Sequence, residues 1–115
     1  MTDSLDLLEL NLLLEAIDSY DYYTPVQRLI LQIIVKTSVA GSSKITTAFI
    51  SEKAKVSRTA VYKTLKKLID EGNISFDDHN KTRQRGILLN IDSMQKIVSL
   101  HLSKQNITEP PLALS

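Results

Sequence analysis

The chain contains no cysteine and no tryptophan, and only two histidines among its 115 residues. Without cysteine there is neither a disulfide nor a Cys-containing metal site, so apolar packing must hold the fold, as suits a reducing compartment. No apolar run approaches the roughly 18 to 20 residues that span a bilayer, so no membrane association is expected. The N-terminus opens on Asp3 and Asp6 instead of the positive charge of a secretory signal, and a cytoplasmic location is the expectation. Catalysis is short of parts. His79 falls in a loop and His101 in a terminal helix, with no nucleophile or paired carboxylate at a recognisable spacing. Asp77, Asp78 and His79 are adjacent in sequence, and three neighbours rarely converge on one ion. Gly41-Ser42-Ser43-Lys44 ends like a phosphate loop but lacks its first glycine, and reads as a linker. No enzyme, cofactor or metal is expected.

What is present is enough apolar residue, 43% of the chain, for one compact domain. It is placed at residues 1–102, with an N-terminal helical extension (1–23) and a flexible tail (103–115). The net charge of +1 conceals a strong division. Residues 1–43 hold two bases against six acids, a balance of −4, whereas residues 44–86 hold ten bases against five acids, a balance of +5. Positive charge gathered in one segment is the footprint expected for a polyanion partner.

Ser4 to about Tyr20 reads as a leucine-rich helix with no Gly or Pro. Leu7, Leu10, Leu14 and Ile17 form one apolar stripe and Leu5, Leu8 and Leu12 a second. Such a helix is either buried on most sides or packs one stripe inward and offers the other to a second subunit. Thr24-Pro25-Val26-Gln27 combines an N-cap, a first-turn proline and a capping box, predicting a core helix to about Val39. A brief extended piece follows at Lys44 to Thr46, then a helix over Thr47 to Lys55. After a tight turn at Val56-Ser57, a helix runs from Arg58 to Glu71 and ends at Gly72. Runs at Ile74–Phe76 and Ile87–Asn90 read as a hairpin with a polar loop of about ten residues. Asp92 then caps a last helix with Met94, Ile97, Val98 and Leu102 on its apolar side.

The resulting fold class is mainly α with a small β-hairpin, in the order α-α-β-α-α-β-β-α. Within it, Ile50, Val56-Ser57-Arg58, Val61, Leu65, Leu68 and Gly72 stand at a distinctive spacing. Residues 45 to 90 closely resemble the winged helix-turn-helix domain of bacterial transcriptional regulators such as the MarR and GntR groups. The resemblance covers about 46 of the 115 residues. It implies double-stranded DNA as partner, with a recognition helix at 58–71 in the major groove and a wing at 77–86 on the backbone or minor groove. One position departs. Lys55 stands in the turn where the family usually has Gly or a small polar residue, and a left-handed conformation there is costly, so a slightly different turn is expected.

Without the resemblance, the helix at 58–71 reads either as an ordinary amphipathic helix with a basic outer face or as one that offers that face to DNA. At about 100° per residue, Val61, Leu65 and Leu68 share one side while Thr59, Tyr62, Lys63 and Lys66 share the other. Ser57, Arg58, Thr59, Tyr62 and Lys63 lie at the N-terminal end that enters the groove, and Lys66 and Lys67 are placed for phosphates. Lys81, Arg83 and Arg85 alternate along the hairpin loop, which puts all three on one face of an extended ribbon. The expected function is sequence-specific DNA binding in transcriptional regulation, as a homodimer through Leu5, Leu8 and Leu12. A plasmid or phage partition or replication factor is the alternative within that class, and a winged-helix protein-interaction module the alternative outside it.

Overall fold

The computed structural model describes residues 7–77 and 86–108. Five helices and three short strands follow in the order α1 (Leu7–Asp18), α2 (Pro25–Thr37), β1 (Ser42–Ser43), α3 (Thr47–Ala54), α4 (Arg58–Asp70), β2 (Ile74–Asp77), β3 (Gly86–Leu89) and α5 (Ile91–Thr108). The chain is therefore mainly helical with one small antiparallel sheet, in the strand order β1-β3-β2. Among the described residues, no helix is long and apolar enough to cross a membrane.

Helix α2 forms the centre because its sequence both starts it and buries it. Thr24 Oγ1 accepts from the Gln27 amide at 3.2 Å and Gln27 Oε1 accepts from the Thr24 amide at 3.0 Å, which completes the expected capping box. Ile30, Leu31, Ile34 and Val35 then recur on the face turned into the core and are fully or almost fully buried. The helix stops at Thr37, two residues before the expected end. Ser38 leaves helical geometry (ψ 142°), and Thr37 and Ser38 turn their hydroxyls back onto the carbonyls of Ile33 and Ile34.

The next residues make a turn and a strand where the sequence suggests a linker. Ala40 (φ 54°) and Gly41 (φ 82°) both take positive φ between Val39 and Ser42, whose backbones exchange two hydrogen bonds. That is the type I′ geometry of a tight hairpin, and it delivers Ser42 and Ser43 to pair with Leu88 and Ile87. The extended strand is thus at Ser42–Ser43, and not at Lys44–Thr46. The β2/β3 hairpin pairs Ile74 with Leu89, Phe76 with Ile87 and Asp77 with Gly86, close to the expected runs.

Two helices differ from expectation. The inward face of α1 is Leu13, Ala16 and Ile17, with Leu10 and Leu14 half-buried beside it. Leu13 fits neither leucine stripe of the sequence, yet it faces α5, which packs along α1. Helix α5 is capped by Asn90 and not Asp92, since Asn90 Oδ1 accepts from the Ser93 amide and its carbonyl from Met94. It also continues to Thr108, through Ser103 and beyond, where the polar composition suggests a tail. Buried Met94 and Ile97 anchor its first turns against α1, whereas Leu102 is exposed.

Candidate nucleic-acid interface

Helices α3 and α4 form one unit because each is capped at the turn between them. Thr46 caps α3 by accepting from the Phe49 amide at 3.0 Å. Lys55 ends it in the left-handed region at φ 58°, ψ 46°. The chain thus takes a left-handed turn here without glycine. Two bonds hold the lysine there: the Val56 amide donates to the Ser51 carbonyl at 3.2 Å, and Ser51 Oγ donates to the Val56 carbonyl at 2.5 Å. Ser57 then opens α4, accepting from the Ala60 amide at 3.1 Å. Ile50 and Ala54 from α3 and Val61, Leu65 and Leu68 from α4 close the angle between the helices over a common core.

That packing fixes which side of α4 is left to solvent. Val61, Thr64, Leu65 and Leu68 are buried, while Arg58, Thr59, Tyr62, Lys63 and Lys66 are exposed on the opposite side, Tyr62 by 59%. Ser57, also exposed, keeps its hydroxyl on the cap. Arg58 and Lys63 have no carboxylate partner among the described residues. Lys66 meets Asp70 at 3.4 Å, but both side chains are well exposed and such a pair is readily exchanged for another anion. The exposed Lys53 and Lys55 extend the basic surface across the turn, and Lys53 lies 5.6 Å from the centre of the Phe49 ring. Neither stands out in the sequence, where α3 offers no basic stripe.

Lys67 does not join this face. Its ammonium lies 3.0 Å from Glu71 Oε2, and 5.0 Å and 5.8 Å from the ring centres of Tyr22 and Tyr23. Tyr22 Oη donates to Glu71 Oε2 at 2.9 Å and Tyr23 Oη to Glu71 Oε1 at 2.5 Å. Asn73 Nδ2 in turn donates to Tyr23 Oη. Burial alone would push the Glu71 carboxyl up, but donation from Tyr23, Lys67 and Tyr22 outweighs it and holds the group below its usual range. Burial, and then the Glu71 acceptor, push the Tyr23 phenol far above its ordinary value. In the sequence, residues 21 to 23 read as a simple connection. The one signal there is composition, since three of the four tyrosines fall within residues 20–23.

Lys81, Arg83 and Arg85 lie outside the described residues, as do Asp78 and His79. Of the leucines expected to face a second copy, Leu5 and the side chain of Leu8 also lie outside them. Leu12 is half-buried and, with Leu89, Ile91, Met94 and Val98, lines a largely apolar groove of ≈ 410 Å³ between α1 and α5. His101 is buried in the same helix pair, 3.7 Å from Glu15 Oε2 and 3.3 Å from Gln105 Nε2. No family model matches the sequence, and no curated protein or solved structure is similar to it.

Proposed function

We propose that the chain is a winged helix-turn-helix protein that binds double-stranded DNA as a homodimer and regulates transcription. The observation that carries this reading is the solvent face of α4: Arg58, Thr59, Tyr62 and Lys63 exposed together, with both bases unpaired among the described residues. An α-helix fits the major groove of B-DNA, where guanidinium, ammonium and hydroxyl groups meet base edges and phosphates. In this reading Arg58, Thr59, Tyr62 and Lys63 supply base contacts, and Lys66 and the basic loop residues Lys81, Arg83 and Arg85 supply phosphate contacts. The acidic α1 stays away from the duplex and, with Leu5, Leu8 and Leu12, joins the two copies.

Fluorescence anisotropy with duplexes selected from a random pool, titrated across salt concentrations, tests the proposal. Arg58→Ala or Lys63→Ala should reduce discrimination between selected and random duplex by about 1 to 3 kcal/mol for each base pair that is no longer read. Arg83→Ala or Arg85→Ala should instead weaken all duplexes alike and flatten the salt dependence by about one unit of slope per phosphate neutralised. Absence of any salt-sensitive binding by the parent protein would remove the reading and leave the protein-interaction alternative.

A further inference from the structure

Five side chains converge on the C-terminal end of α4 from three parts of the chain. Glu71, at the end of α4, receives Lys67 from one turn earlier and both hydroxyls of Tyr22 and Tyr23 from the connection between α1 and α2. Tyr23 is fully buried, and through Asn73 it also reaches the residues leading into β2. The connection is itself fixed, because Arg28 Nη1 donates to the carbonyls of Tyr20 (3.3 Å) and Tyr23 (2.9 Å). Tyr20, Tyr22 and Tyr23 pack ring on ring at 5.2 to 5.8 Å.

Ordinary helix chemistry does not account for this arrangement. Lysine four residues before glutamate is the weaker order of an i,i+4 pair, and an exposed pair of that kind is worth little. The neighbouring Lys66–Asp70 pair illustrates it, with side chains 77% and 60% exposed. The Lys67 pair differs in its surroundings, at 35% and 26%, because the two tyrosines cover it and supply both hydrogen bonds and ring faces to the cation. A lysine so held is neutralised locally and turned from the solvent face of α4.

We propose that Lys67 is a positioning residue, which Glu71, Tyr22 and Tyr23 withhold from DNA phosphates and use to fix the end of α4 against the α1–α2 connection. The proposal rests on the DNA-binding reading. Its function there is to set the angle at which the Arg58 to Lys63 face meets the groove, and to tie that angle to the helix assigned to the dimer interface.

The test compares random-duplex binding by anisotropy over a salt series for the parent, Lys67→Met, Lys66→Met and Glu71→Gln. Lys66→Met, at a proposed phosphate contact, is expected to flatten the slope by about one unit, and Lys67→Met to leave it unchanged. Glu71→Gln removes the charge that holds Lys67, and should tighten binding and steepen the slope by about one unit, a gain that loss of folding cannot imitate. Tyr23→Phe, which keeps the ring, should lower affinity for selected duplexes with random-duplex affinity unchanged. Equal flattening by Lys67→Met and Lys66→Met overturns the proposal, as does an unchanged slope in Glu71→Gln or an equal fall in affinity for both duplexes in Tyr23→Phe. A parent that binds no duplex is a different result, which removes the DNA-binding reading and the positioning role with it.

Discussion

Single residues decide the turn on which α4 depends. Lys55 occupies the left-handed region that L-residues other than Gly and Asn visit at a cost, and two bonds around Ser51 and Val56 hold it there. Lys55→Gly should therefore raise stability by about 0.5 to 1 kcal/mol, read as a shift of the urea midpoint at constant slope, since Gly has no Cβ to strain. A fall in the midpoint would mean that the lysine side chain contributes more than its backbone costs. The tyrosine cluster gives a second residue-scale expectation, in pH. Tyr23 is raised above the ordinary 10.0, so once pH passes that value the unfolded chain loses a proton that the folded chain keeps, and stability falls. Lys67, raised first by its bond to Glu71, acts in the same direction, whereas lowered Glu71 adds stability that is lost as pH falls through its depressed value. Urea midpoints measured between about pH 8 and 11 should drop in the parent and drop less in Tyr23→Phe. Equal drops would show that the phenol is not held protonated by the fold. Only part of this was legible in the sequence. The resemblance marks Lys55 as standing where a left-handed residue is costly, whereas residues 21 to 23 acquire partners only when Glu71 and Asn73, about fifty positions away, are brought beside them.

At the scale of elements, local chemistry was legible wherever the cap and the apolar period agree. The Thr24 capping box and the Ser57 cap stand where the sequence puts them, and α4 buries Val61, Leu65 and Leu68 as its period requires. The failures share a cause. β1 is two serines with no β propensity, created by a turn in which Ala40 takes a positive φ that composition does not advertise. In α1 eight of the twelve positions are apolar, on more than one face, so periodicity could not say that Leu13 faces inward. The small sheet also contains a packing conflict that makes a prediction. A Cβ on Gly86 would stand 3.1 Å from Ser42 Oγ and 3.4 Å from Asp77 Cβ, and Ser42 Oγ is buried with no hydrogen-bond partner among the described residues. Ser42→Ala should be near neutral, because it removes a hydroxyl that is already unsatisfied. Gly86→Ala should cost about 1 to 3 kcal/mol by overpacking, and less in the Ser42→Ala background. A double-mutant cycle by urea denaturation measures that coupling, and strict additivity would mean that the close approach is relieved elsewhere.

For the whole molecule, under the DNA-binding proposal, the decisive quantity is how many copies of α4 act together. One helix of this size reads a few base pairs, whereas a two-fold pair about 34 Å apart reads two half-sites and supplies the length that specificity needs. Under the proposal, the face that makes that pair is built from α1 and α5. Along α5, Ile91, Val98 and Leu102 recur at i, i+7 and i+11, so they share one side of the helix, with Ile91 48% and Leu102 40% exposed. Beside them Leu12 of α1 borders the same apolar groove, and the acids Glu9, Glu15 and Asp18 give α1 a sign that duplex DNA repels. Placing charge at Leu8 and Leu12 should separate the copies while leaving in place the buried Leu13, Ala16 and Ile17 that hold α1 to the core. Leu8→Glu with Leu12→Glu is therefore expected to give folded monomers in sedimentation velocity, with helical circular dichroism retained. The same variant should lose most of its preference for selected over random duplex while keeping salt-sensitive binding, since each monomer retains the basic residues to which the proposal assigns the phosphate contacts. Parent protein that sediments only as a monomer at micromolar concentration would end both the dimer and the expectation of a palindromic site. A variant that stays dimeric would move the interface off α1 and leave the two-fold reading of DNA intact.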